Sequence, residues 1–260
     1  MSDFRRNCIE RRLLIGTFAA IPHPVVIEVT AASGVDFLCI DWEHSQISRE
    51  RIEDLIRAAD VHRVPAMVRV PGHAAEDIAA VLDAGAAGVL VPRVSTAEQA
   101  RAAVKATRYP PLGARGVGPG RAAAYGYRIP DYLAKANSEL VLAIQVETAE
   151  GLANIADIAS VEGIDLIFIG PGDLSVSIDA MGPAGKEKLD AAIQTIAKTA
   201  LSAGRAVGIF RPSPDDVGAW SAAGISFFLV ASDTMFLGAS LAAGVTEAKS
   251  QNAISRSKKK

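Results

Sequence analysis

The sequence predicts an α/β protein, a single (β/α)8 TIM barrel. Three observations carry this. Eight short apolar runs alternate with longer segments of helical period, and most runs are apolar at nearly every position, as parallel strands covered on both faces are. The chain has 260 residues, the size such a barrel needs. No Gly-x-Gly-x-x-Gly follows the first run, which disfavours a doubly wound open sheet.

The elements follow in order. The first strand is expected over Leu13–Phe18, before a helix over Pro24–Ser33. The second strand, Phe37–Asp41, precedes a helix that Ser48 caps and that ends at His62. The third, Ala66–Val70, leads to His73–Ala84, with Gly85 as the stop. The fourth, Gly88–Pro92, leads to Thr96–Arg108, whose Thr96 and Gln99 have capping-box spacing. An irregular stretch, Tyr109–Glu139, then precedes Val141–Val146. Its length without clear period marks a candidate functional loop. A helix over Ala149–Ser160, strand Leu166–Gly170 and helix Lys186–Ala203 come next. Strand Ala206–Phe210, helix Pro214–Ala223, strand Phe227–Ala231 and helix Thr234–Ala248 complete the eight units. Residues 1–250 are expected to form the barrel and 251–260 a basic, frayed tail.

Half the residues are hydrophobic and the formal net charge is −2. A large core is within reach, and nothing points to nucleic acid or a membrane surface as partner. There is no apolar run long enough to span a bilayer and no apolar segment behind the N-terminal charges, so the expectation is a cytoplasmic protein. Cys8 and Cys39 make no disulfide framework, and Cys39 reads as a small core residue.

In such a barrel the residues at or just past the strand C-termini line the site. That rule selects Asp41-Trp42-Glu43-His44 after the second strand, Arg69 on the third, and Gln145 and Glu147 at the fifth. It also selects Pro92 and Arg93 after the fourth, Gly170-Pro171-Gly172-Asp173 at the sixth, Phe210-Arg211-Pro212 at the seventh and Ser232-Asp233 at the eighth. Glu147 and Asp173 end adjacent strands, which lie about 4.8 Å apart, so both can reach one cation. Two carboxylates completed by water suit Mg²⁺ or Mn²⁺ rather than zinc. Taken singly, each acid also fits a surface helix cap.

Arg69 closes an otherwise apolar strand. It is either a planar fork for a substrate carboxylate or enolate oxygen, or half of a structural ion pair with Asp41 or Asp83. His44 is a candidate general base, with Asp41 or Asp83 as its orienting partner; the alternative is a side chain that only packs at the mouth. The Gly-Pro-Gly turn can present backbone N–H groups to an anion, a weak signal by itself. No predicted strand carries a lysine, which argues against an imine mechanism and for metal-assisted enolate chemistry.

At these residues the sequence resembles the HpcH/HpaI aldolases, the class II pyruvate-dependent aldolases. The likeness rests on Asp41-Trp42-Glu43-His44-Ser45, Arg69-Val70, Val91-Pro92-Arg93-Val94 and Ala106 to Gly118. Gln145-Val146-Glu147-Thr148 and Phe168 to Ser175 complete it, in order, between about Leu13 and Ala248. The resemblance implies cleavage of a 4-hydroxy-2-oxoacid to pyruvate and an aldehyde through an enolate held at Mg²⁺, Mn²⁺ or Co²⁺. It implies Glu147 and Asp173 as metal ligands, Arg69 on the enolate and carboxylate, and Gln145 in the pyruvate pocket. His44 would be the base, through a water on the metal, steadied by Asp41 or Asp83.

Three positions depart from the family pattern. Trp42 stands where well-known members have Gly, and is expected at the mouth beside the aldehyde; Phe18 replaces a Trp, and Gly172 an Ala. The same resemblance implies homo-oligomers, hexamers built as trimers of dimers with exchanged C-terminal helices. Alternatives from the same superfamily are oxaloacetate decarboxylation and CoA-thioester cleavage; from another class, a non-catalytic barrel that binds a small acid.

Overall fold

The alternation of side chains along each strand sorts the core into two layers. In Phe37–Asp41, Phe37 and Cys39 join one apolar cluster with Met67, Leu90, Ala143, Phe168 and Phe227, while Leu38 and Ile40 join another. The first cluster fills the barrel; the second lies between the strands and the surrounding helices. Both faces are apolar, so the runs read as nearly continuous hydrophobic segments.

The structure, a computed structural model, describes residues 2–257, with side chains described through residue 251. Eight parallel strands close in sequence order: β1 (Leu14–Ala19), β2 (Phe37–Asp41), β3 (Ala66–Arg69) and β4 (Gly88–Val91), then β5 (Val141–Val146), β6 (Leu166–Ile169), β7 (Ala206–Arg211) and β8 (Phe227–Ser232). The expected barrel is therefore present, and strand ends fall within one or two residues of the sequence reading. Among the described residues no helix is long and apolar enough to cross a membrane.

The departures lie in the helices. The stretch expected to be irregular holds a helix, Ile129–Glu139, with Pro130 in its first turn. Its apolar residues Ile129, Tyr132, Leu133 and Ala136 have helical spacing, hidden by the Gly- and Pro-rich sequence before them. A helix at Asp3–Ile9 was also not anticipated. It brings Phe4 against Phe37 and Phe227, with ring centroids 5.7 and 6.2 Å apart, and so closes the lower end of the barrel. Beside it Asp165 accepts from Arg5 Nη2 at 2.6 Å, Arg108 Nη2 at 2.8 Å and the Leu142 amide at 3.0 Å. The last helix runs from Asp233 to Ser257, so most of the expected tail is helical; residues 258–260 lie outside the described residues.

Candidate active site

Continuing the inward alternation by one step builds the upper rim. After Phe37 and Cys39 comes Asp41; after Met67, Arg69; after Val141 and Ala143, Gln145 and then Glu147; after Phe168, Gly170. These polar residues replace the apolar layer at the strand C-termini, where a cleft of about 430 Å³ opens. Asp41, His44, Arg69, Gln145, Glu147 and Asp173 all line it, as do Gly170, Pro171 and Gly172. The volume lies in the range of small-molecule sites.

Asp41 and Arg69 are register partners on β2 and β3. Arg69 donates from Nε to Asp41 Oδ1 at 3.0 Å and from Nη2 to Oδ2 at 2.7 Å, and its guanidinium lies 4.4 Å from the centre of the Phe18 ring. Burial lowers the Arg69 pKa, but the Asp41 carboxylate outweighs it and the net direction is up. Arg69 thus has both roles open to it from sequence: it pairs with Asp41 and also faces the cleft.

His44 is not held as expected. The Asp41 carboxylate accepts its backbone N–H at 3.2 Å, but the imidazole Nε2 lies 3.5 Å from Glu43 Oε2. The acid beside the ring is Glu43, because Asp41 is spent on Arg69. Glu43 Oε2 is buried, lies 3.4 Å from Arg69 Nη1, and accepts no hydrogen bond. Burial pushes the Glu43 carboxyl up, Arg69 and His44 pull it back, and Asp41 and Asp173 raise it further. Sequence reasoning noted Glu43 among the polar residues of its loop without giving it a role.

Asp83 is a correction. It ends the helix Ala75–Asp83, at the end that feeds the start of β4, and its Oδ1 accepts from Arg115 Nη2 at 2.5 Å. It does not line this cleft within the chain. Trp42 is another: it packs on the layer between barrel and helices and does not line the cleft. One position earlier on the alternation is inward and one later is outward, so Trp42 points away from Asp41.

Glu147 is buried, and Asp173 is exposed in the first turn of the helix Pro171–Ser177. The expected Gly-Pro-Gly turn is therefore the start of a helix. Glu147 Oε1 accepts the Arg93 amide at 2.8 Å and Oε2 accepts from Gln145 Nε2. Arg93 has φ 54, the left-handed region, which turns that amide toward the carboxylate. His73 Nε2 lies 2.7 Å from the Pro92 carbonyl, the other end of the same peptide unit. Gly170 leaves room for Glu147, since a Cβ there would stand 2.5 Å from Oε2.

Burial raises the Glu147 pKa; the two hydrogen bonds oppose this, and the charges of Asp173 and Glu43 add to it. Among the described residues neither Glu147 nor Asp173 forms an ion pair, and no set of three imidazole, thiolate or carboxylate groups surrounds one point. Two carboxylates that line one cleft without a counter-cation fit a hard divalent ion completed by oxygen ligands from water or substrate. Gln145 Oε1, buried and unpaired, is a further acceptor on this wall.

The family model for HpcH/HpaI aldolase/citrate lyase matches residues 14–239. The chain belongs to that family. This member is thereby a carbon–carbon lyase, an aldolase. It is 39% identical over 236 residues to 2-keto-3-deoxy-L-rhamnonate aldolase of Klebsiella pneumoniae, covering 90% of this chain and 88% of the relative. It is 36% identical to hydroxypyruvate/pyruvate aldolase of Delftia acidovorans, covering 86% and 84%. Among solved structures, a family protein from Burkholderia cenocepacia superposes with TM-score 0.90 at 31% identity, covering 96% of this chain and 100% of that one.

Phe210 and Ser232 stand at strand ends, where the sequence places site residues, but Thr234 and Met235 of the cleft escaped the sequence reading and Phe18 entered it only as a departure from the family pattern. Phe18 and Phe210 were legible in principle, since each continues the inward alternation of its strand. Ser232, at the end of the eighth strand, turns inward for a reason that lies in β8.

Proposed function

We propose that this aldolase cleaves a 4-hydroxy-2-oxoacid to pyruvate and an aldehyde, and runs the reverse condensation, with a divalent cation held by Glu147 and Asp173. The observation that carries this reading is that Glu147, Asp173 and the Arg69 guanidinium line a single cleft. The Arg69 fork suits the substrate carboxylate and the oxygen that gains charge as C3–C4 breaks. A divalent ion would polarise the 2-oxo group. Asp41 holds the fork in place, and the Arg93 amide and Gln145 hold Glu147.

In cleavage, the 4-hydroxyl proton passes to His44. The C3–C4 bonding pair moves toward C2 and its oxygen, and C4 leaves as the aldehyde carbon. C3 then takes up a proton to become the pyruvate methyl group. Glu43, 3.5 Å from the imidazole, orients His44. A screen of 4-hydroxy-2-oxoacids with Mg²⁺, Mn²⁺ and Co²⁺, read as pyruvate release, tests the reading. Pyruvate release that EDTA abolishes supports it; none from any substrate, with no exchange of pyruvate methyl protons, overturns it.

The assembly is part of the same proposal. The last helix exposes Phe236, Leu237, Leu241 and Val245, an apolar surface that suits burial against another copy of the chain. A homo-oligomer, the hexamer that the resemblance implies, would cover it.

A further inference from the structure

In the ring of eight strands, β7, β8 and β1 follow β6 and lead away from the β5–β6 edge, past whose ends Glu147 and Asp173 stand. The cleft wall on that side is of different character. Phe18 and Phe210 stand with ring centroids 5.8 Å apart, and Met235 and Ala20 extend the apolar surface. Two hydroxyls interrupt it, Ser232 and Thr234, with oxygens 2.8 Å apart.

Ser232 reaches the cleft because β8 is bulged. Leu229 pairs with Gly16, but Ser232 pairs with Phe18, so Val230 and Ala231 together oppose Thr17. Ala231 adopts φ 52, left-handed for a residue with a side chain. Phe227 and Leu229 face the interior, and regular alternation would bring Ala231 in next. Instead Val230 and Ala231 both pack in the outer layer, and Ser232 turns to the cleft. Bulges beside active sites re-aim side chains in this way. The hydroxyl pair also has a donor to spare. Two hydroxyl protons are present and one lies in the Ser232–Thr234 bond; the Ser232 oxygen takes its other contact as acceptor, from the Met235 amide at 3.2 Å.

Charge sets the remaining limit. Arg69 is the only lysine or arginine among the described residues that line the cleft, whereas Asp41, Glu147 and Asp173 all do. If Arg69 holds the carboxylate of the oxoacid, a second carboxylate at the far end of the substrate meets acids and no cation.

We infer that the Phe18–Phe210–Ser232–Thr234 wall receives the aldehyde half and selects a short, uncharged aldehyde with a hydroxyl on the carbon next to its carbonyl. This rests on the aldolase reading above. Ser232 and Thr234 read that hydroxyl, the phenyl rings and Met235 cover the carbon chain, and an anionic aldehyde is rejected.

The test compares three cleavage substrates that differ beyond C4: 4,5-dihydroxy-2-oxopentanoate, 4-hydroxy-2-oxopentanoate and 4-hydroxy-2-oxoheptanedioate. The dihydroxy compound is expected to show the highest kcat/KM, and the dicarboxylate to fall below both others by about tenfold or more. In the Ser232→Ala, Thr234→Val double variant the preference for the dihydroxy over the methyl compound should shrink by about tenfold. Thr234→Arg leaves the Ser232 cap on the last helix and places a cation on an exposed position of the wall. It should raise the dicarboxylate relative to the uncharged pair. Unchanged ratios in both variants, or a wild-type preference for the dicarboxylate, would overturn the inference. Exchange of pyruvate methyl protons in D2O by the wild type separates the two levels. Exchange with the wrong substrate preference defeats only the assignment of the wall. No exchange and no pyruvate from any substrate defeats the aldolase reading and this inference with it.

Discussion

Arg69 grips Asp41 through two parallel hydrogen bonds, 3.0 and 2.7 Å long, across the β2–β3 register, and both side chains are buried. The pair leaves Nη1 3.4 Å from Glu43 Oε2 and sets the guanidinium carbon 4.4 Å from the centre of the Phe18 ring. An ammonium on a flexible stem cannot reproduce the two-pronged contact.

Arg69→Lys should therefore lower kcat on the order of 10²-fold or more, the scale for losing a group that stabilises developing charge. Asp41→Asn should weaken both activity and fold. It removes the buried partner of a buried cation, a change that costs about 3–5 kcal/mol. Steady-state kinetics and urea melts of both variants check this. Wild-type kcat in Arg69→Lys would refute the fork.

The acid pair predicts Mn²⁺ binding that is measurable apart from catalysis. Wild-type protein stripped with EDTA should bind Mn²⁺ in an EPR titration, and the Glu147→Ala, Asp173→Ala double variant should not. Tight Mn²⁺ binding by that variant, or full activity of the rigorously stripped enzyme, would remove these residues from the metal site.

Two glycines of one short segment should respond in opposite ways. A Cβ at Gly170 would stand 2.5 Å from Glu147 Oε2 and 3.1 Å from Gln145 Nε2; at Gly172 it meets nothing within 4 Å. Gly170→Ala should displace the carboxylate and weaken Mn²⁺ binding about 10–100-fold, the range for lost support of a metal ligand. Gly172→Ala lies on the exposed face of a helix. It should leave metal binding intact and stabilise the fold by about 0.5 kcal/mol, through the reduced freedom of the unfolded chain. EPR titration and thermal melts distinguish the two.

The strands, their closure and the upper-layer residues Asp41, Arg69, Gln145 and Glu147 were legible in the sequence. A period of two carries each inward run one step past its apolar residues. Partnerships were not legible. Whether Asp41 serves Arg69 or His44 depends on β2–β3 register, and Asp83 was a candidate partner until its helix placed it beside Arg115. Trp42 and Glu43 traded expected importance because neighbouring residues past a strand face different ways. Ser232 was legible as a strand-end residue, but that it and not Ala231 turns inward depends on a bulge, which shifts the period by one and leaves no mark in the sequence. The helix Ile129–Glu139 was obscured by the Gly- and Pro-rich residues before it.

The exposed last helix predicts association. Leu237 is 54% exposed and Leu241 60% exposed, one turn apart. The wild type should run as an oligomer in light scattering coupled to gel filtration. Leu237→Asp, Leu241→Asp should shift it to a smaller species, because charge on a buried apolar contact is costly. A monomeric wild type, or a variant that keeps the same mass, would refute burial of this face against a second copy.

The His44–Glu43 contact gives the last prediction. His44 is exposed at the mouth, with a side-chain exposure of 58%, and Glu43 is its nearest acid. A base for the 4-hydroxyl must reach substrate, and an exposed imidazole backed by a buried carboxylate meets that need. His44→Ala should then slow cleavage by about 10²–10⁴-fold in kcat, the range for a lost acid–base group. Glu43 touches the imidazole rather than the 4-hydroxyl, so Glu43→Gln removes orientation and charge but leaves the base. Its loss in kcat should be smaller than that of His44→Ala. Simple packing at the mouth predicts otherwise: a raised KM and an unchanged kcat in His44→Ala, and an unchanged kcat in Glu43→Gln. The split between kcat and KM in the two variants decides between an imidazole that transfers the proton and one that only lines the entrance.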